Sequence, residues 1–371
     1  MDGGCGGRAI RVRLTASHGG PPSGSNSAEK RTAGLTQQRP AAAWTENKVR
    51  VLSTELILER LAGFGIVTSV DEVVQQARAE HVASAIAEGW RERFPVSPHS
   101  VDDDFVDLAA RVLWERLLPE RRSFEQLDAR MQAGYGAFLA NDVVRACDEW
   151  LEVWEGFKPH FEPEMTHVRD VDAMFHGTEY FFNWCQEFEH ELGNAGAVDP
   201  RYLRARVRYV NEFMAQFGAE ADEVELMGNF LRAEAVALWS LGEPAAAEER
   251  FEALIRRYPQ FAWGHIGLAD CFWLGPDPMP EPKEYARAEG IYQRALAEPA
   301  LEMRADVLDR LADLHLEQGN TDAAAVWRQQ AEVERRQWLG PLFPERAVTP
   351  SIMAGATHKL GRNDGAGAAA A

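Results

Sequence analysis

Two Glu-x-x-His spacings, Glu164/His167 and Glu187/His190, come nearest to chemistry in this 371-residue chain. Residues three apart share a helical face, so each pair would present a carboxylate beside an imidazole, the donor set of carboxylate-rich metal bundles. With 58 acidic residues and ten histidines, chance supplies about one or two such spacings, so solvated helix faces are the expectation and no metal or cofactor is assigned. A metal-dependent enzyme on the 160–192 helices stands as the alternative reading.

Other groupings point to packing. Phe181, Trp184, Phe188 and Leu192 recur at i, i+3, i+7 and i+11, and Trp150 and Trp154 at i, i+4; both are core stripes by their period. Arg201, Arg204 and Arg208 share one face and could hold a phosphate or a carboxylate tail, although a salt-bridged face is expected in an acidic chain. Cys147, Cys185 and Cys271 sit among apolar neighbours and read as inert buried thiols. No nucleophile elbow, HExxH helix or P-loop is present, so no catalytic residue is assigned and the chain is not expected to be an enzyme. The Gly4-x-Gly6-x-x-Ala9 fragment imitates a dinucleotide fingerprint without the strand and helix that give such a motif meaning.

The elements that must position these residues are helical. Hydrophobic residues are 46% and charged residues 26% of the chain, the composition of a folded globular protein. The four cysteines form no CxxC pair, which suggests neither a disulfide framework nor a zinc knuckle and fits a reducing, cytoplasmic location. A net charge of -19 argues against nucleic acid as ligand. No apolar run approaches the roughly 18 residues of a membrane span, and the start lacks the apolar stretch of a secretory signal.

The first fifty residues hold eight Lys or Arg against three Asp or Glu, and residues 1–48, rich in Gly, Ser and Pro, read as a disordered basic tail. From Ser53 the period turns helical, with amphipathic stretches near 53–64, 70–93 and 101–118, so residues 49–125 are expected to form a smaller helical region. The Pro95/Pro98 pair breaks the second stretch from the third.

Beyond it lies a recurring spacing. In LWSLGEPAAAEERFEALIRRYP, Gly242 falls at a turn, Ala247 and Phe251 share a face, and Pro259 ends the unit. Trp263, Ile266 and Gly267 followed by Ala288, Tyr292, Ala295 and Pro299 repeat that grammar, as do Leu308, Leu311, Gly319-Asn320, Ala324 and Ala331. Ala247, Ala288 and Ala324 are 41 and 36 residues apart, against about 34 for a tetratricopeptide unit. The four prolines of LGPDPMPEPKE account for the longer interval. An earlier hairpin at 131–157 carries Asn141-Asp142, Ala146, Trp150 and Val153 in matching places. The fold class expected is therefore all-α, a tetratricopeptide-like solenoid of helical hairpins over 126–336.

With GYGAFLANDVVRACDEWLEVWE, ELGNAG and RYLRARVRYVNEF ahead of these repeats, the chain resembles bacterial tetratricopeptide-like proteins that end in a SEC-C motif. The resemblance runs from about Leu56 to Asp364. Lys359-Leu360-Gly361-Arg362-Asn363-Asp364 matches the lead-in to that family's zinc knuckle, but GAGAAAA follows without a Cys or His ligand. Residues 337–371 are accordingly expected to be a flexible tail with a SEC-C remnant, and the resemblance implies an adaptor rather than an activity.

In such arrays the first helices of successive hairpins line a groove. Alignment of the units places Asn229, Arg232, Val236 and Trp239, then Phe261, His265, Leu268 and Phe272, then Asp306, Asp309 and Asp313 there. Aromatic anchors beside an acidic end suit an unidentified protein or peptide with apolar residues and a basic end. The expected function is a non-catalytic interaction module holding a polypeptide.

Overall fold

The computed structural model describes residues 44–94, 103–218, 223–276 and 282–339. The 1–43 part of the basic tail, residues 277–281 of the proline-rich insertion and the SEC-C remnant lie outside them. The described residues contain helices and no strand. An N-terminal group comprises α1 (Glu46–Arg50), α2 (Thr54–Gly63), α3 (Val70–Ala79), α4 (Ala83–Arg93) and α5 (Asp103–Leu117). There follow α6 (Phe124–Leu139), α7 (Val143–Phe157), a 3-10 turn (Lys158–His160), α8 (Val168–Met174), α9 (Phe181–Gly196) and α10 (Arg201–Phe217). The last six are α11 (Val224–Ser240), α12 (Pro244–Arg257), α13 (Ala262–Asp270), α14 (Tyr285–Leu296), α15 (Arg304–Glu317) and α16 (Thr321–Leu339). No helix among the described residues is long and apolar enough to cross a membrane.

Local chemistry sets the helix starts. Ser53 accepts from the Leu56 amide, and Ser69 forms a reciprocal capping box with Glu72, each satisfying amides that the helix itself leaves unpaired. Two expectations are corrected. The 70–93 stretch is two helices, because the chain turns extended at Glu80 to Val82. Residues 44–48 belong to the fold rather than the disordered tail: Thr45 caps α1, and Trp44 packs edge-on against Phe105 with its ring centroid 4.9 Å away.

Three cores result. α5 is the hub of the first, touching α1, α2, α3 and α4 and burying Phe105 and Trp114. The second, over α6 to the start of α13, is aromatic: Trp150, Trp154, Phe157, Phe181, Trp184, Phe188, Tyr209, Phe213 and Phe217 are all buried in it. The expected stripes of α7 and α9 are thus core. A third core joins α11 to α15 around Phe251, Phe272, Trp273 and Tyr292.

The N-terminal group docks on α6 through polar contacts. Glu125 accepts from the Ala83 and Ser84 amides at 3.0 and 2.9 Å, serving as cap for α4, which has no cap of its own. Beside it, His81 Nδ1 and His160 Nδ1 stand 2.9 Å apart, and His160 Nε2 is 2.8 Å from the Arg122 carbonyl. A carbonyl only accepts, so Nε2 carries the His160 proton and His160 Nδ1 accepts from His81. Protonating His160 would bring two N–H groups face to face.

Burial, and then the charge of Arg121, hold the His160 pKa down to about 4. The unfolded chain takes up this proton near pH 6.5 and the folded one near 4, so stability falls as pH drops through that window and levels off below it. Urea unfolding at pH 7 and pH 4.5 should show a loss of roughly 2–3 kcal/mol from this group, and His160→Gln should flatten that part of the profile.

Candidate functional site

Helices α7, α9, α11, α13 and α15 touch in series, each against the next odd-numbered one, while each also packs on its neighbours in the chain. Close approach on this spine needs missing side chains. A Cβ at Gly267 would stand 2.6 Å from Phe251 Cε1 and 3.4 Å from Arg232 Cγ, so α13 accepts a ring from α12 and an arginine stem from α11 on the same bare backbone.

Along the spine runs a row of charges of alternating sign. On α9, the buried Glu189 accepts from Arg206 Nε of α10 at 2.6 Å. On α11 sits Arg232. On α13, Asp270 accepts from the Tyr292 hydroxyl at 2.5 Å, and that hydroxyl accepts from Trp273 Nε1 at 2.9 Å. From α15, Arg310 Nε approaches Asp270 at 3.2 Å, close as an ion pair but poorly aligned as a hydrogen bond. Burial pushes the Asp270 carboxyl up to about 6, against the pull of Arg310 and the Tyr292 hydroxyl.

Arg232 is different. Its Nε is sealed from solvent with no partner, and among the described residues no carboxylate or carbonyl pairs with the guanidinium. The residue keeps partial exposure, leans toward the Trp263 ring at 5.8 Å, and has its pKa lowered chiefly by burial. The neighbouring acids that favour its charge, Glu189 and Asp270, are already held by Arg206 and by Arg310 with Tyr292. Guanidinium stays charged even so, and the site holds a cation whose counter-charge is missing.

The eight residues expected to line the groove divide into two groups. Trp239, Phe261, His265 and Phe272 are buried at 1–4% exposure, and this corrects the expectation: they are packing residues with little surface to offer a partner. Trp239 meets Phe272 edge-on at 5.4 Å, and Phe261 fills the space left by Gly228. His265 has both ring nitrogens buried without a well-formed hydrogen bond, and burial lowers its pKa, as for a neutral core imidazole. The other four, Asn229, Arg232, Asp309 and Asp313, are half-buried. Of these, Asp309 pairs with Arg335 and Asp313 with Arg328 at 3.1 Å, both from α16. Two of the three carboxylates of the expected acidic end are therefore already paired by the last helix.

The residues missed by pattern reasoning are Glu189, Arg206, Asp270 and Arg310. A signal for one was present: Asp270 interrupts the apolar run from Ala262 to Trp273, and a charge inside such a run must find buried partners.

The Glu-x-x-His pairs do not converge. Glu164 lies in a turn before α8, not on a helix with His167, whose amide instead donates to the capping carboxylate of Asp170 at 3.0 Å. Glu187 and His190 are exposed on α9, and Glu187 accepts from the Tyr135 hydroxyl at 2.5 Å. Among the described residues no three His, Cys, Asp or Glu side chains stand together as ligands. Cys147, Cys185 and Cys271 are free and buried, with burial raising each thiol and so keeping it protonated. No protein-family model matches the chain, and no curated protein matches it either.

Replacing Tyr292 by Phe would deprive both Asp270 and Trp273 of a buried partner. Tyr292→Phe should cost about 1–3 kcal/mol in urea unfolding, with Trp fluorescence reporting loss of the Trp273 hydrogen bond.

Proposed function

We propose that this chain is a non-catalytic adaptor of the tetratricopeptide-like kind, which holds a polypeptide along the inner face of α9, α11, α13 and α15. The observation that carries this reading is the unpartnered Arg232 on that face. A half-buried guanidinium without a counter-ion lowers stability, and a carboxylate from a bound polypeptide would supply the bidentate partner that the fold withholds.

The repeat architecture is supported by its small residues. Ala247, Ala288 and Ala324 are buried at corresponding places in α12, α14 and α16, and Gly242 and Gly319, before two of these helices, have φ of 77° and 79°, which a side chain disfavours. The likeness to SEC-C proteins in the quoted segments favours an adaptor over an enzyme, and the free buried thiols suit a reducing cytoplasm. The partner chemistry differs from the sequence expectation. With Asp309 and Asp313 occupied and the aromatics packed away, an acidic group replaces the basic end.

The Arg232→Met variant separates stability from binding. The thioether keeps the packing on Gly267 and removes the buried charge, so stability should rise by about 1 kcal/mol. Peptides selected on the wild type from a random library should carry an acidic residue or a free carboxyl terminus at the point of contact, and should fail to bind Arg232→Met. Peptides that lack a carboxylate requirement, or that bind the variant equally, would sink this reading.

A further inference from the structure

A second group of arginines lies on the far side of α10. Arg206 points to Glu189, but Arg201, Arg204 and Arg208, offset by an odd half-turn, face α7 instead. With Asp148, Leu151, Tyr202 and Ala205 they line a pocket of about 250 Å³. The volume is below the roughly 300–1,000 Å³ of small-molecule sites. It suits one side chain of a larger ligand.

The charges inside the pocket are not balanced. Asp148 is its one acid, and that carboxylate is occupied: the Tyr202 hydroxyl donates to it at 2.7 Å and Arg201 approaches at 3.3 Å. Burial and the Asp148 bond push the Tyr202 hydroxyl up to about 12, which keeps it a neutral donor that fixes the wall. Arg204 and Arg208 have no comparable hold. Glu243 is 3.9 Å from Arg204, and Glu212 is 4.0 Å from Arg208, both at the outer limit of an ion pair. Glu212 moreover already accepts from Trp154 Nε1 at 2.6 Å and Lys158 Nζ at 3.3 Å. Two guanidinium groups four residues apart on one helix repel each other, and they stand 71% and 58% exposed above an apolar floor of Leu151 and Ala205.

We propose that the pocket between α7 and α10 is a docking site for an acidic segment of a polypeptide, with one Glu side chain seated between Arg204 and Arg208 and its methylenes on Leu151 and Ala205. The apolar floor favours a carboxylate carried on a hydrocarbon stem over a bare inorganic anion. The protein's net charge of -19 does not forbid this, because at physiological salt charges farther than about 8 Å are largely screened. The two local arginines then decide the contact. This proposal rests on different residues from Arg232 and holds or fails independently of it.

The test is anisotropy of a labelled oligoglutamate peptide, with oligolysine and a neutral peptide as controls, on the full chain and on two variants. Arg204→Glu/Arg208→Glu reverses the exposed charge, and Ala205→Phe fills the pocket while leaving the charge intact. Oligoglutamate alone should bind the wild type, salt should weaken it, and each variant should raise Kd by about tenfold or more. Unchanged thermal melting of both variants would establish that the fold survives. Equal binding by the charge-reversed variant overturns the proposal. Retained binding by Ala205→Phe also overturns it, since attraction would then be diffuse charge without a pocket. Displacement by inorganic phosphate at matched ionic strength, where acetate fails, would mark a phosphate site and overturn it too.

Discussion

The bare backbone of α13 at Gly267 is the constraint on which the C-terminal half depends. α13 has only nine residues and must contact α11, α12, α14 and α15 at once. A helix this short cannot reach four neighbours with long side chains; it must let the neighbours reach in. Phe251 and the Arg232 stem do so at Gly267, and the Leu254 and Ile255 side chains do so at Gly264, where a Cβ would lie 3.3–3.4 Å from them. The helices of the spine are thereby held close enough for their charges to form a row.

That closeness explains the behaviour of the buried acids. In a compact interior an unpaired charge costs several kcal/mol, and each buried carboxylate has accordingly been given a donor. Glu189 has Arg206, and Glu234 has Arg250 at 3.2 Å together with Asn211 Nδ2 at 3.0 Å. Asp270 has a hydroxyl and an arginine, yet burial still raises its pKa toward 6. Compensation there is incomplete, and lowering the pH from 7 toward 4 favours the folded form at Asp270 while disfavouring it at His160. The two opposing dependences sit in different cores, α13 in one case and the α4–α6 junction in the other, so a single global profile would partly hide both.

The helices were legible in the sequence because their period is written in large apolar residues: Phe181, Trp184, Phe188 and Leu192 read as core and are core. The hairpin turns were legible at Gly242 and Gly319, where positive φ leaves few alternatives. Lateral position was not. Repeat alignment assigns residues to an inner face by number, but it does not say how deeply that face is packed, and Trp239, Phe261 and Phe272 fill the space between spine helices that a looser array would leave as groove. Short elements escaped for a different reason. α1 spans five residues, less than two turns, and its place is fixed by Trp44 meeting Phe105, a contact 61 positions away in the chain that no local pattern contains.

The proposed ligand differs in sign from the expected one through the same blindness to partners. Counting Asp306, Asp309 and Asp313 along α15 suggests an acidic surface, and the overall charge reinforces that impression. Side chains from α16 alter the sum: Arg328 and Arg335 lie over α15 and take up two of the three carboxylates. Arginines closer to the middle of the chain show the converse. Arg206 and Arg310 are consumed by internal acids, whereas Arg232 in the spine and Arg204 with Arg208 on the outer face of α10 keep theirs at a distance or have none. A strongly acidic protein thus still presents cations, Arg232 and the Arg204/Arg208 pair among them, because what a ligand meets is the charge left over after internal pairing, and net composition does not measure that remainder.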